Sequence, residues 1–214
     1  PIMRKSGLTP DQKMRKSLYD PLSPLPMHKG AVSLLGSDFA LDETSDIVRL
    51  LRGGNVELKE LPKCCDLAEF ISMGESELFI AVYPAANYGA KTAAERLGRP
   101  YMYLPASFSY KETAENLNRL ADALSVRRID VNSEIEKSEA ALKKAYEIIG
   151  KTKIAIDYTV HPRHLGLARM LLEHGFNVVR VYLDVVNVEE EQDFVWLKEN
   201  APDLELAATV QVKM

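Results

Sequence analysis

The sequence predicts an α/β fold of two doubly wound, Rossmann-like parallel-sheet lobes, the second of them incomplete. From residue 31, short apolar runs alternate with stretches of helical period, as βα units require. The runs are mostly free of charge, as strands covered on both faces are. After Asp130 the alternation gives way to one long charged stretch and then restarts, which divides the chain in two.

In the first lobe the expected strands are residues 31–35, 56–58, 78–82 and 101–104. A helix over 44–51 should stop at Gly53-Gly54 through a left-handed cap, and one over 67–73 follows Pro62 with Asp66 as its N-cap. A helix over 88–97 ends at Gly98. The helix over 111–124 places Ala114, Leu117, Ala121 and Leu124 on one face. Residues 133–149 read as a bridging helix with Ile135, Leu142, Ala145 and Ile149 on its buried stripe. The second alternation has strands at 153–156, 177–182 and 204–212 and helices at 162–174 and 189–200, with Gly150 and Gly175 at helix ends. The expected organisation is an extended basic arm over 1–29, a first lobe over 30–130, a connecting helix over 131–150 and a second, partial lobe over 151–214.

Composition narrows the function. At 214 residues, 46% hydrophobic and 27% charged, the chain buries roughly 70% of its unfolded surface and needs neither disulfide nor metal to hold a core. The apolar stretch 78–86 falls far short of the roughly 20 residues of a membrane span, so no membrane partner is expected. No apolar run follows Pro1-Ile2-Met3-Arg4-Lys5, so a secretory signal is not expected and the expected location is cytoplasmic. A first residue other than methionine is expected of a processed chain or of a piece of something longer. The cysteines, Cys64 and Cys65, are adjacent, which removes a disulfide framework and any Cys-rich zinc or iron–sulfur motif. Arg4, Lys5, Lys13, Arg15, Lys16 and Lys29 outnumber Asp11 and Asp20 in the arm, so the body is more acidic than the net −4 of the chain. No nucleic-acid partner is expected of such a body.

In open parallel sheets, ligands sit outside the carboxyl ends of strands. That rule selects Gly36-Ser37-Asp38, residues 83–89, 105–110, 157–164 and 182–187. The loop Asp157-Tyr158-Thr159-Val160-His161-Pro162-Arg163-His164 is the richest. Pro162 suits the first turn of the following helix, which gathers His161, Arg163 and His164 at its positive end. Cations there oppose the helix dipole unless an anion or an acidic partner is near. The alternatives are an Arg163 paired with a surface carboxylate beside solvated histidines, or a metal on His161 and His164 for which no third ligand follows. No GxxxxGK[ST], GxGxxG or GxSxG follows any expected strand, and Ser107 and Ser109 have no base at a recognisable spacing. Lys63 beside Cys64 could lower that thiol's pKa, against the alternative of partly buried packing. Trp196 and the methionines fit core positions.

Leu78-Phe79-Ile80-Ala81-Val82-Tyr83-Pro84-Ala85-Ala86-Asn87-Tyr88-Gly89, then Ala94-Glu95-Arg96-Leu97-Gly98-Arg99-Pro100-Tyr101 and Lys111-Glu112-Thr113, resemble the nitrogenase component 1 family. Gly150-Lys151, His161-Pro162-Arg163-His164 and His174-Gly175-Phe176-Asn177-Val178-Val179 extend the resemblance over about residues 30–212. The family includes the nitrogenase molybdenum–iron subunits, their cofactor-assembly scaffolds and protochlorophyllide reductase-like subunits. The resemblance implies that Tyr158, Thr159 and His161 line a cofactor cavity, with Tyr83, Asn87 and Tyr88 across an inter-lobe cleft. His161 and Arg163 would then be catalytic, as electrostatic stabilisers or proton donors.

The sequence also departs from the family. Val82 stands where the nitrogenase alpha subunit resembles Cys-Tyr-Arg-Ser-Met-Asn-Tyr and supplies a thiolate, His161 replaces an arginine, and Tyr158-Thr159 replaces a glycine pair. No metal ligand is therefore expected in this chain, although the resemblance implies an iron–sulfur or related metallocluster in the full-length protein. The expected function is part of an oxidoreductase that takes electrons from an iron–sulfur reductase partner, associates with a homologous subunit and reduces a substrate in the cleft. The alternatives are a non-catalytic metallocluster assembly scaffold of the same fold and a nucleotide-sugar or sugar-phosphate binding enzyme.

Overall fold

The structure, a computed structural model, describes residues 7–208. It divides into two compact units, one running up to Pro105 and resuming over Asn116–Ile129, the other comprising Ala106–Glu115 and the chain from Asp130.

The first unit holds a four-stranded parallel sheet of β1 (His28–Leu34), β2 (Glu57–Glu60), β3 (Ser76–Ala81) and β4 (Tyr101–Tyr103) in the order β2-β1-β3-β4. Helix α2 (Asp46–Gly53) links β1 to β2, α3 (Leu67–Ser72) precedes β3, and α4 (Pro84–Leu97) links β3 to β4. Side chains alternate across a strand, and this splits the core in two. Phe79 and Ala81 pack with Phe70 of α3 and with Ala86, Ala90, Ala93 and Ala94 of α4. Leu78 and Ile80 pack with Leu50 and Leu51 of α2 and with Leu117, Leu120 and Ala121 of α5 (Tyr110–Leu124). Asp66 does cap α3, accepting the Glu69 N–H at 2.8 Å. The left-handed residue after α2 is Asn55 (φ 54°) and not a glycine of the pair. Gly54 is required for a different reason, since a Cβ there would lie 2.3 Å from Val126 Cγ1.

The arm read as extended contains a helix, α1 (Pro10–Leu18). A capping box starts it: Thr9 Oγ1 accepts the Gln12 N–H at 3.2 Å and Gln12 Oε1 accepts the Thr9 N–H at 2.9 Å. Pro10 sits at the first helical position, where its missing N–H is no loss. Residues 22–27 have no regular structure. The carbonyls of Tyr19 and Leu22 accept from Arg96, and that of Leu25 accepts from Arg99. Arg4 and Lys5 lie outside the described residues.

The second unit holds β5 (Ile154–Ile156), β6 (Val178–Leu183) and β7 (Glu205–Ala208), parallel and in sequence order. The last expected strand continues beyond the described residues. Helices α7 (His164–Glu173) and α8 (Glu191–Asn200) connect the strands and bury Leu165, Ala168 and Leu197 against Ile156, Val178 and Val181. On the other side Arg180 pairs with Glu205 and stacks over Tyr182. The long helix α6 (Val131–Ile149) has no fully buried side chain and belongs to this unit.

Helix α1 approaches α4 closely at Gly89, where a Cβ would lie 2.8 Å from Lys16 N and 2.9 Å from Lys16 Cα. These are backbone atoms and cannot rotate away. Gly89→Ala should therefore displace α1 and cost about 1–3 kcal/mol. Urea unfolding, with amide exchange read over residues 10–19, checks this. Unchanged stability and exchange would show that the close contact is not a constraint.

Candidate functional site

In the first sheet the connections reverse direction between β1 and β3, and the crevice beyond their carboxyl ends is where a ligand would be sought. Arg15 of α1 reaches the loops that follow both strands. Its Nη1 donates to Gly36 O (2.5 Å) and Asp38 Oδ1 (3.0 Å), its Nη2 to Asp38 Oδ2 (2.6 Å), and its Nε to Asp11 Oδ1 (3.0 Å). The guanidinium lies 4.7 Å from the Tyr83 ring centroid. Gly36, at φ +78°, brings its loop so close to α4 that a Cβ would lie 2.2 Å from Ala86 Cβ. Its N–H donates to the Tyr19 hydroxyl at 2.5 Å. The Arg15 hydrogen bond holds the Asp38 carboxyl below the usual range. These loops satisfy a cation, the opposite of what a phosphate needs.

Of the residues expected nearby, Tyr83 is the N-cap residue of α4 and lies against Arg15. Asn87 and Tyr88 sit in the first turns of α4 and not in a loop, because Pro84 starts that helix early. Asn87 Oδ1 accepts the Tyr101 hydroxyl at 2.9 Å, while Tyr88 is 45% exposed. Val82 packs with the apolar side chains on the α2 and α5 face of the sheet.

In the second unit the loop after β5 begins with a local turn. Asp157 Oδ1 accepts the Thr159 N–H at 2.9 Å and the Thr159 hydroxyl at 2.6 Å, which holds the Asp157 carboxyl below its usual range and leaves Tyr158 and Thr159 exposed. His161 Nδ1 accepts the Arg163 N–H at 3.0 Å, which places the neutral ring's proton on Nε2. Phe108 meets the His161 ring edge-on at 4.9 Å. Burial, with Arg163 and His164 nearby, lowers the His161 pKa, so the ring is neutral at neutral pH.

Arg163 has a side chain only 5% exposed. It donates to Glu112 at 3.1 and 3.3 Å, to Asp193 Oδ2 at 3.3 Å and to Ala106 O at 3.4 Å. The acidic partner anticipated for the cations at this helix start is intramolecular. Asp193 also accepts from Arg169, and Ser107 Oγ donates to Glu112 at 2.5 Å. A groove of about 730 Å³ runs beside this network between the start of α5, α7 and α8. His164 is buried against Glu190.

Glu112, Asp193, Glu190 and Arg15 hold these sites together from outside the loops that the strand-end rule selects, and Asp38, in a loop that the rule does select, pairs with Arg15. The run Glu189-Glu190-Glu191 ahead of a helix was the available signal for the second site. For the first site the capping box at Thr9 was the signal.

The donors present do not fit a metallocluster. Burial pushes the Cys64 thiol up, and Cys64 Sγ donates to Glu60 O at 3.4 Å. Lys63 does not activate it, because its ammonium pairs with Glu60 at 2.8 Å and Glu43 at 3.0 Å. Among the described residues no three His, Cys, Asp or Glu side chains converge as metal ligands.

Two outcomes test this geometry. Arg163→Ala strands Asp193 and Glu112 and should cost about 3 kcal/mol, with Glu112→Gln costing less because Glu112 is partly solvated. Urea unfolding of both single variants and the double variant measures the coupling, and strict additivity would remove the pairing. His174 Nδ1 donates to Met170 O at 2.7 Å and Nε2 meets Glu139 Oε1 at 3.0 Å, which raises its pKa. Its contribution to stability is full below the ordinary value of 6.5 and is lost as pH rises through the raised one. His174→Gln should therefore destabilise at about pH 5.5 and have little effect at about pH 8.5, as read from urea midpoints.

Residues 12–210 match the family described as nitrogenase component 1 type oxidoreductase. No curated protein matches the sequence. A solved structure described as nitrogenase Cp1 at pH 6.5 is similar at 14% identity with a TM-score of 0.67, covering 94% of this chain and 49% of that one. A second, nitrogenase Cp1 at pH 5, aligns at 14% identity with a TM-score of 0.50, covering 89% and 43%. The chain thus spans about half the length of the structures it matches. Similarity at that identity shows the fold, and the family match over residues 12–210 shows the family: the chain belongs to the nitrogenase component 1 type oxidoreductases.

Proposed function

We propose that this chain is part of an oxidoreductase that takes electrons from an iron–sulfur partner protein, associates with a homologous subunit and reduces a bound substrate. In this reading the chain contributes substrate contacts and a proton donor but no cluster thiolate. The observation that carries it is the fixed tautomer of His161. With Nδ1 accepting the Arg163 N–H, the neutral ring presents Nε2–H, a donor for negative charge developing on a substrate as electrons arrive. Arg163 is then a positioning residue that acts through its backbone N–H, because Glu112 and Asp193 neutralise its guanidinium. Tyr158 and Thr159, exposed on the same loop, are proposed substrate contacts, as separately are Tyr83, Asn87 and Tyr88 of the first unit. The scarcity of convergent donors in the described residues argues that any cluster takes its thiolates from elsewhere. A sugar-phosphate ligand gains no support, since the crevice of the first sheet is filled by Arg15 and faced by Asp38.

The test uses the full-length protein, purified anaerobically, with a chemically reduced iron–sulfur donor protein in stopped-flow absorbance. Donor oxidation is expected, with iron content and rate unchanged in Cys64→Ala and Cys65→Ala. His161→Gln should keep the iron and slow reduction of the bound acceptor by about 10²-fold or more. Failure of the donor to be oxidised, or loss of iron with either cysteine, overturns the reading.

A further inference from the structure

A buried acid and a buried base face each other beneath the β5–α7 loop, and the oxidoreductase reading uses neither. Glu190 is 0% exposed and His164 3%. His164 Nδ1 lies 3.7 Å from Glu190 Oε2. Glu190 Oε1 accepts the Leu165 N–H at 2.8 Å at the start of α7, and Asn187, in the same turn, donates to Pro162 O at 3.3 Å. Glu190 Oε2 and both His164 ring nitrogens are buried with no hydrogen bond among the described residues.

The ionisable groups around the pair are Asp157, His161 and Arg163 of the loop, Asp184 after β6 and Asp193 on α8, with Glu112 reaching Arg163. Glu112 and Asp193 already match Arg163, so it is not free to neutralise a third carboxylate. Charge on one member of the pair alone would be a buried ion whose nearest cation, Arg163, is already shared by Glu112 and Asp193. The net-neutral states carry one proton between the two groups, as acid and neutral imidazole or as carboxylate and imidazolium.

We propose that Glu190 and His164 hold a single shared proton in the folded chain and form a pH-sensitive buttress for the loop that carries His161 and Arg163. Burial raises Glu190 to about 7 and lowers His164, consistent with the proton residing mainly on the acid. In the unfolded chain, with ordinary values of 4.5 and 6.5, the proton returns to the imidazole. The stability that Glu190 contributes is full below 4.5 and is lost as pH rises to about 7. The stability that His164 contributes is full above 6.5 and is lost as pH falls. Between those limits the two slopes oppose each other, and removing one member exposes the other.

The test is urea unfolding of the intact chain between about pH 5 and about pH 6.5. Relative to the unsubstituted protein, the folding constant of Glu190→Gln should rise with pH, by up to about tenfold per unit, and that of His164→Gln should fall by a similar factor. Slopes of the same sign, or slopes equal to that of the unsubstituted chain, overturn the shared proton. Amide exchange over residues 160–165 should quicken in both variants, and unchanged exchange overturns the buttress. If neither variant folds, NMR of the unsubstituted chain labelled with ¹³C-glutamate and ¹⁵N-histidine decides. One protonated partner across that window supports the proposal, and an ionised Glu190 beside a neutral His164 overturns it.

Discussion

Burying a guanidinium strips hydration that one neutral hydrogen bond cannot replace, so an arginine inside a protein is stable only where carboxylates and carbonyls converge on it. Each unit of this chain is organised around such a group. Arg15 draws Asp11, Asp38, the Gly36 carbonyl and the Tyr83 ring together at the carboxyl ends of β1 and β3. Arg163 does the same with Glu112, Asp193 and the Ala106 carbonyl at the start of α7. The position of α1, the shape of the loop after β1 and the path of the loop after β5 all follow from satisfying these two charges.

The same constraint limits the chemistry. Around Arg15 the crevice already carries the carboxylates of Asp11 and Asp38, which disfavour a phosphate. Arg163, held by two carboxylates, offers its backbone N–H and not its charge. That N–H orients His161, whose burial keeps the ring neutral and whose Nε2–H remains available. The ring is thus held in one orientation by a backbone group, and among the described residues no three metal-ligating side chains converge.

Most of the fold was legible because strands and helices here follow local rules. Phe79 and Ala81 alternate with Leu78 and Ile80, and Asp66 and Gly98 mark helix ends by side-chain and backbone chemistry available within a few residues. The arm was misread because Pro10 carries two meanings, and only the reciprocal bonds of Thr9 and Gln12 select the helical one. The helix expected over 88–97 starts four residues earlier, since Pro84 opens it and brings Asn87 into its first turn.

The sequence by itself determined the alternation that builds two parallel sheets, the loop on which the titratable residues cluster, and the absence of a cysteine at Val82. Tertiary structure alone decided which charges meet. Arg15 and Asp38, Arg163 and Glu112, and His164 and Glu190 are separated by 23, 51 and 26 positions, and none of these spacings follows from a periodicity. Hydrophobic period is set by backbone geometry and is local, whereas the pairing of buried charges depends on which chain segments the packed core brings within a few ångströms.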